Sequence, residues 1–109
     1  MWLSGYRAMW ILICFDLPTD TPIARYQYTQ FRKYLIEDGF KMMQYSIYFR
    51  HSASRENINV HLFRVRKWIP PDGEVRILLF TDKQFERMEV YQGKRRLATE
   101  KPPNQLEMF

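Results

Sequence analysis

The sequence predicts an α+β fold in which one antiparallel sheet carries two helices on a single face. Three observations carry that expectation. Two strand-like runs, Ala8 to Phe15 and Glu74 to Phe80, bracket the middle of the chain. Between them lie two stretches with helical apolar spacing, set apart by an alternating run from Phe40 to Arg50. Each helical stretch opens on a capping residue and closes at a breaker.

Ala8 to Phe15 is almost wholly apolar and is closed by Asp16 and Pro18, the pattern of a buried strand. It is far too short to span a bilayer and no small-residue cleavage site follows it, so no membrane role is expected. Thr21 followed by Pro22 suits an N-cap and first helical position. Ala24, Tyr28, Phe31 and Leu35 then mark one amphipathic face, and Gly39 suits the left-handed turn that ends it. In the alternating run, Met43, Tyr45, Ile47 and Phe49 point one way while Met42, Gln44, Ser46 and Tyr48 point the other. Ser54 caps a second helix with Ile58, Leu62, Val65 and Ile69 as its stripe, stopped by Pro70-Pro71-Asp72-Gly73. Glu74 to Phe80 reads as a third strand, Thr81 to Phe85 as a short turn, and Met88 to Tyr91 as a short fourth strand. The element order is the ferredoxin-like βαββαβ.

Residues 1–92 are expected to form this domain, and residues 93–109 a basic tail. The tail holds Lys94-Arg95-Arg96, a Pro102-Pro103 break and an alternating end, Gln105 to Phe109. That end suits an edge strand on its own sheet or on a partner's, and equally a frayed terminus. In the first strand Met9, Ile11, Ile13 and Phe15 alternate with Trp10, Leu12 and Cys14, so both faces are apolar. Leu78 and Phe80 repeat this opposite Val75, Ile77 and Leu79. A second apolar face must be covered, and a two-fold homodimer through Leu12, Leu78 and Tyr48 is the expected cover.

Composition narrows the partners. Of 109 residues 46% are hydrophobic and 17% aromatic, enough for a core and against global disorder. Seventeen Lys and Arg against twelve acids give a net charge of +5 and a pI near 9.5, which favours polyanions. From Arg25 to Lys67 the net charge is +6, whereas Asp72 to Gln92 carries −2. Cys14 is the only cysteine, which excludes an intrachain disulfide and fits a reducing, cytoplasmic setting.

Asp16, at the end of the first strand, is the candidate catalytic and metal-binding residue. Its carboxylate suits Mg²⁺, which neutralises charge on a phosphodiester, and two copies across a dimer axis would share the ion. A lone Asp at a strand-to-loop junction also serves simply as a hydrogen-bond acceptor. His51 and His61 lack metal-ligand spacing. Arg25, Arg32 and Lys33 on the first helix, with Arg64, Arg66 and Lys67 ending the second, suit the backbone of double-stranded DNA. The second cluster also suits the helix dipole.

Phe15-Asp16-Leu17-Pro18-Thr19, Phe31-Arg32-Lys33-Tyr34-Leu35, Asp38-Gly39-Phe40, Gln44-Tyr45-Ser46-Ile47-Tyr48 and Thr81-Asp82-Lys83-Gln84-Phe85-Glu86-Arg87-Met88 together resemble the Cas-two proteins of type II CRISPR systems. The likeness runs from about Met9 to Gly93. It implies a ferredoxin-like homodimer seated between dimers of the Cas-one integrase, which captures short DNA and inserts it into the CRISPR array. It also implies a metal-dependent nuclease activity at the aspartate ending the first strand, here Asp16. Two features depart from the pattern: the extra residues Met1 to Arg7, and Met42 where more distant members carry a basic residue. Three roles stay open. They are a DNA-binding scaffold in an integrase complex, which the residues favour, a Mg²⁺-dependent endonuclease, and a regulatory ferredoxin-like module for RNA or a small ligand.

Overall fold

The computed structural model describes residues 9–103. Expectations placed on residues 1–8 and 104–109, including the terminal edge strand, lie outside the described residues. The chain runs β1 (Met9–Asp16), α1 (Pro22–Glu37), β2 (Lys41–Gln44), β3 (Ile47–Ser52), α2 (Arg55–Trp68) and β4 (Glu74–Thr81). A short α3 (Asp82–Glu86) and a hairpin of β5 (Val90–Gln92) and β6 (Arg95–Leu97) follow. The main sheet has the order β2-β3-β1-β4, with antiparallel pairing throughout, so βαββαβ is realised by the first six elements.

Local chemistry sets the element ends. The Thr21 hydroxyl accepts from the Ala24 N–H at 3.0 Å, and Ser54 does the same for Asn57 at 3.0 Å. Gly39, at φ +92°, lets the chain leave α1 while its N–H still bonds the Ile36 carbonyl.

The run from Phe40 to Arg50 is not one strand but a hairpin. Gln44 pairs with Ile47, and Tyr45 and Ser46 form the turn, with Ser46 in the left-handed region at φ 63°. A register shift between Met42 and Gln44 marks a bulge at Met43. Glu74–Thr81 is therefore the fourth strand. The short strand near Val90 belongs to a separate two-stranded sheet, and the boundary expected after Gln92 falls in its Gly93-Lys94 turn. Much of Lys94-Arg95-Arg96 is thus strand rather than tail.

The sheet divides two cores. On one side α1 and α2 pack Phe31, Leu35, Ile58, Leu62 and Val65 against Met9, Ile11, Ile13 and Phe15. On the other, Trp10 and Leu12 are buried with Phe85, flanked by Met43, Ile47, Phe49, Phe80 and Met88. The Phe85 ring stacks on Trp10 with centroids 3.9 Å apart. The segment expected as a turn is α3, held by a capping box: Thr81 N–H donates to Gln84 Oε1, and Gln84 N–H to Thr81 Oγ1. His51 Nε2 lies 3.0 Å from Asp82 Oδ1 and ties α3 to β3.

The chain therefore covers part of its own second face, where a second copy was the expected cover. Leu12 points to that face but is already buried, whereas Leu78 keeps 37% of its surface. Tyr48 is on the wrong side for such an interface. It pairs with Ile13, is buried in the helix-side core against Phe15, and its hydroxyl accepts from Arg32 Nε. Phe49 is the β3 residue that pairs with Leu12 on that face.

Phe85→Ala should cost about 3–5 kcal/mol in urea unfolding, the range for a buried aromatic. A loss below about 1 kcal/mol would show that α3 is not part of the second core.

Candidate functional site

Along β1 the odd residues face the helices, so Trp10, Leu12, Cys14 and Asp16 face the other way. Burial stops at Asp16, which is exposed. The strand register gives it a companion that is 58 positions away in the chain. Asp16 pairs directly with Glu74, and Cys14 with Arg76. Directly opposed residues share a face with Cβ atoms about 4.5–5.5 Å apart, so two acidic residues are rooted side by side at this end of the sheet.

Two backbone features fix this end of the sheet. The Phe15 N–H donates to the Ser46 carbonyl at 3.0 Å, anchoring the β2–β3 turn beside it. Gly73, at φ +94°, packs against Asp16, where a Cβ would come within 2.8 Å of the Asp16 carbonyl oxygen. Glycine is thus required there both for its conformation and for the close approach that brings Glu74 opposite Asp16.

Glu74 and Arg76 form a fork, with Nε to Oε1 at 2.9 Å and Nη2 to Oε2 at 3.4 Å. The bond and charge of Arg76 hold the Glu74 carboxyl below the usual range, and Glu74 raises the Arg76 guanidinium in turn. Burial pushes the Cys14 thiol up, with Arg76 opposing.

The donor set suits a hard cation. Among the described residues no three His, Cys, Asp or Glu cluster to hold a metal, so one chain offers two carboxylates here. Mg²⁺ is commonly held by one or two carboxylates with waters and substrate phosphates completing its shell, so the residues fit it. His51 and His61 are not metal ligands in waiting, since each is paired with an acid, Asp82 and Asp38 respectively.

The six expected nucleic-acid residues lie in the helix layer, on the other side of the sheet from Asp16. Three are engaged: Arg25 donates to the Thr19 carbonyl at 3.1 Å, Arg32 to Tyr48, and Arg64 to Asp38 Oδ1 at 2.7 Å. The Lys67 ammonium lies over the Phe63 ring, 4.8 Å from its centre. Lys33 and Arg66 are exposed. Sequence reasoning missed Glu74, because only the β1–β4 register brings it to Asp16, and it missed Arg76 for the same reason.

Asp38, whose side chain is buried at the end of α1, joins the helix layer together. Its carboxylate meets His61 Nδ1 at 2.5 Å as well as Arg64, and its carbonyl accepts from Arg50. Burial lowers the His61 pKa, and the hydrogen bond to Asp38 opposes that shift; the positive charges of Arg50 and Arg64 add to the lowering. Since Arg64 already neutralises Asp38, a second cation at His61 is disfavoured.

The model of the family described as CRISPR associated protein Cas2 matches residues 9–88. This chain belongs to the CRISPR-associated Cas2 family. It is 56% identical to the protein named CRISPR-associated endoribonuclease Cas2 of Parvibaculum lavamentivorans, over 93% of this chain and 100% of that one. A Cas2 protein of Flavobacterium psychrophilum with the same name is 50% identical, over 98% of this chain and 93% of its own. A solved structure titled "Crystal structure of cas2" shares the fold at a TM-score of 0.55 and 17% identity, covering 85% of this chain and 98% of that one. The matched span contains β1 and Asp16. Among its described residues no helix is long and apolar enough to cross a membrane.

An unfolded histidine, near pH 6.5, takes up its proton before buried His61 does. Between the two pKa values the unfolded chain binds more protons, so stability should fall as pH drops below about 6.5. His61→Gln should flatten that part of the pH–stability curve, and an unchanged slope would mean that His61 is not the group responsible.

Proposed function

We propose that this Cas2 protein is a metal-dependent endoribonuclease whose phosphodiester chemistry centres on Asp16. The observation that carries this reading is the exposed Asp16–Glu74 carboxylate pair, set by register at the polar end of an otherwise apolar face. The names of the relatives point the same way. Mg²⁺, when bound, would neutralise charge on the phosphate and activate a water. The protein's part is to hold the two carboxylates on a central strand and its neighbour, where backbone pairing leaves little freedom. A second copy on this face would bring its own Asp16. Leu78, with half-buried Ile47, Phe49 and Phe80, supplies the apolar area that remains for it.

A second role, as a dimeric DNA-binding scaffold beside a Cas-one-like integrase, is favoured by the exposed ends of Lys33, Arg66 and Lys67. These would follow a phosphate backbone without reading bases. That surface and Asp16 lie on different sides of the sheet, so the two roles are compatible in one chain.

Asp16→Asn removes the charge while keeping the shape. Mg²⁺-dependent cleavage of single-stranded RNA should fall to background while affinity for duplex DNA is retained. Replacing Lys33, Arg66 and Lys67 by Ala should instead weaken duplex binding. Each lost phosphate contact should reduce the slope of log K against log salt by about 0.9. Cleavage by purified Asp16→Asn at the parent rate would overturn the nuclease reading.

A further inference from the structure

We propose that Arg76 is the phosphate-positioning residue of the Asp16 site, and that the Glu74–Arg76 fork is a resting pair that cation and RNA divide between them. In the working site Glu74 turns to the cation and Arg76 to a phosphodiester oxygen of the RNA. This rests on the nuclease reading above and names two further residues for it.

Register places the group. Arg76 pairs with Cys14, one ladder step from the Asp16–Glu74 pair on the same face. Diagonal neighbours of this kind are about 7–8 Å apart, within reach of an arginine. No other cation stands on this face of β1 or β4, where the remaining residues are Trp10, Leu12, Cys14, Leu78 and Phe80.

The fork is made to be exchanged rather than to hold the fold. Its side chains are 72% and 63% exposed, and ion pairs in that setting contribute little. It joins residues two apart on one edge strand, so it ties no two elements together. Each half has a better-matched partner: a carboxylate suits a hard divalent cation, and a guanidinium suits phosphate oxygens in a paired geometry. Charge agrees. Asp16, Glu74 and Arg76 together carry one net negative charge, which a divalent cation and one phosphodiester anion cancel.

The test uses the full-length protein and a short single-stranded RNA, with binding read by fluorescence anisotropy in metal-free buffer and Mn²⁺ affinity read by calorimetry without RNA. Arg76→Ala should weaken RNA binding about tenfold, the effect of one charge-assisted contact, and Arg76→Lys should recover part of it. Glu74→Gln should act in opposite directions on the two readouts, tightening metal-free RNA binding by freeing Arg76 and weakening Mn²⁺ binding. A merely structural fork would move neither. If Arg76→Ala binds RNA like the parent while Asp16→Asn has lost cleavage, this inference fails and the nuclease reading stands. If Asp16→Asn still cleaves, the reading itself fails whatever Arg76 does.

Discussion

The structure depends on β1 being buried on both faces. It lies inside the sheet between β3 and β4, with Ile11 and Ile13 sealed under the helices and Trp10 under α3. Burial of six side chains at about 1.5–3 kcal/mol each is of the order of 10 kcal/mol, comparable with a small domain's whole net stability. A slip of one residue would exchange the two faces, so the registers of β3 and β4 are firmly set. The site inherits that precision. Asp16 is where β1 meets water, and Glu74 and Arg76 are placed by the same ladder that buries Ile11 and Leu12.

That constraint also separates two kinds of chemistry. The helix layer gathers the cations, several of them already engaged with Asp38, Tyr48 and the Thr19 carbonyl. The other face runs from an apolar end covered by Phe85 to a polar end at Asp16. Substitutions on the two sides share no partners, so their effects should add.

Much of the fold was legible because its signals are local. The apolar run into Asp16, the Thr21-Pro22 and Ser54 helix starts and the Gly39 stop each state their role within a few residues. The hairpin was hidden because its turn carries Tyr45 and Ser46 rather than glycine or asparagine, and alternation continues through it. Helix α3 had a readable signature in Thr81 and Gln84, three residues apart, but its length is that of a turn and only the burial of Phe85 decides. Tyr48 illustrates the limit of alternation. The period separates it from Phe49, yet which side meets the helices is settled by Arg32 reaching its hydroxyl. Asp16 is a candidate readable from strand end and residue type; the places of Glu74 and Arg76 beside it depend on pairing across most of the chain.

The central claim is that the exposed end of β1 holds a divalent cation between Asp16 and Glu74. Anomalous diffraction from crystals of the intact protein soaked in Mn²⁺ tests this most directly. The account predicts a peak about 2.1 Å from an Asp16 carboxylate oxygen, with Glu74 bound directly or through one water. A fully occupied Mn²⁺ site elsewhere, with both carboxylates free of metal, would contradict it.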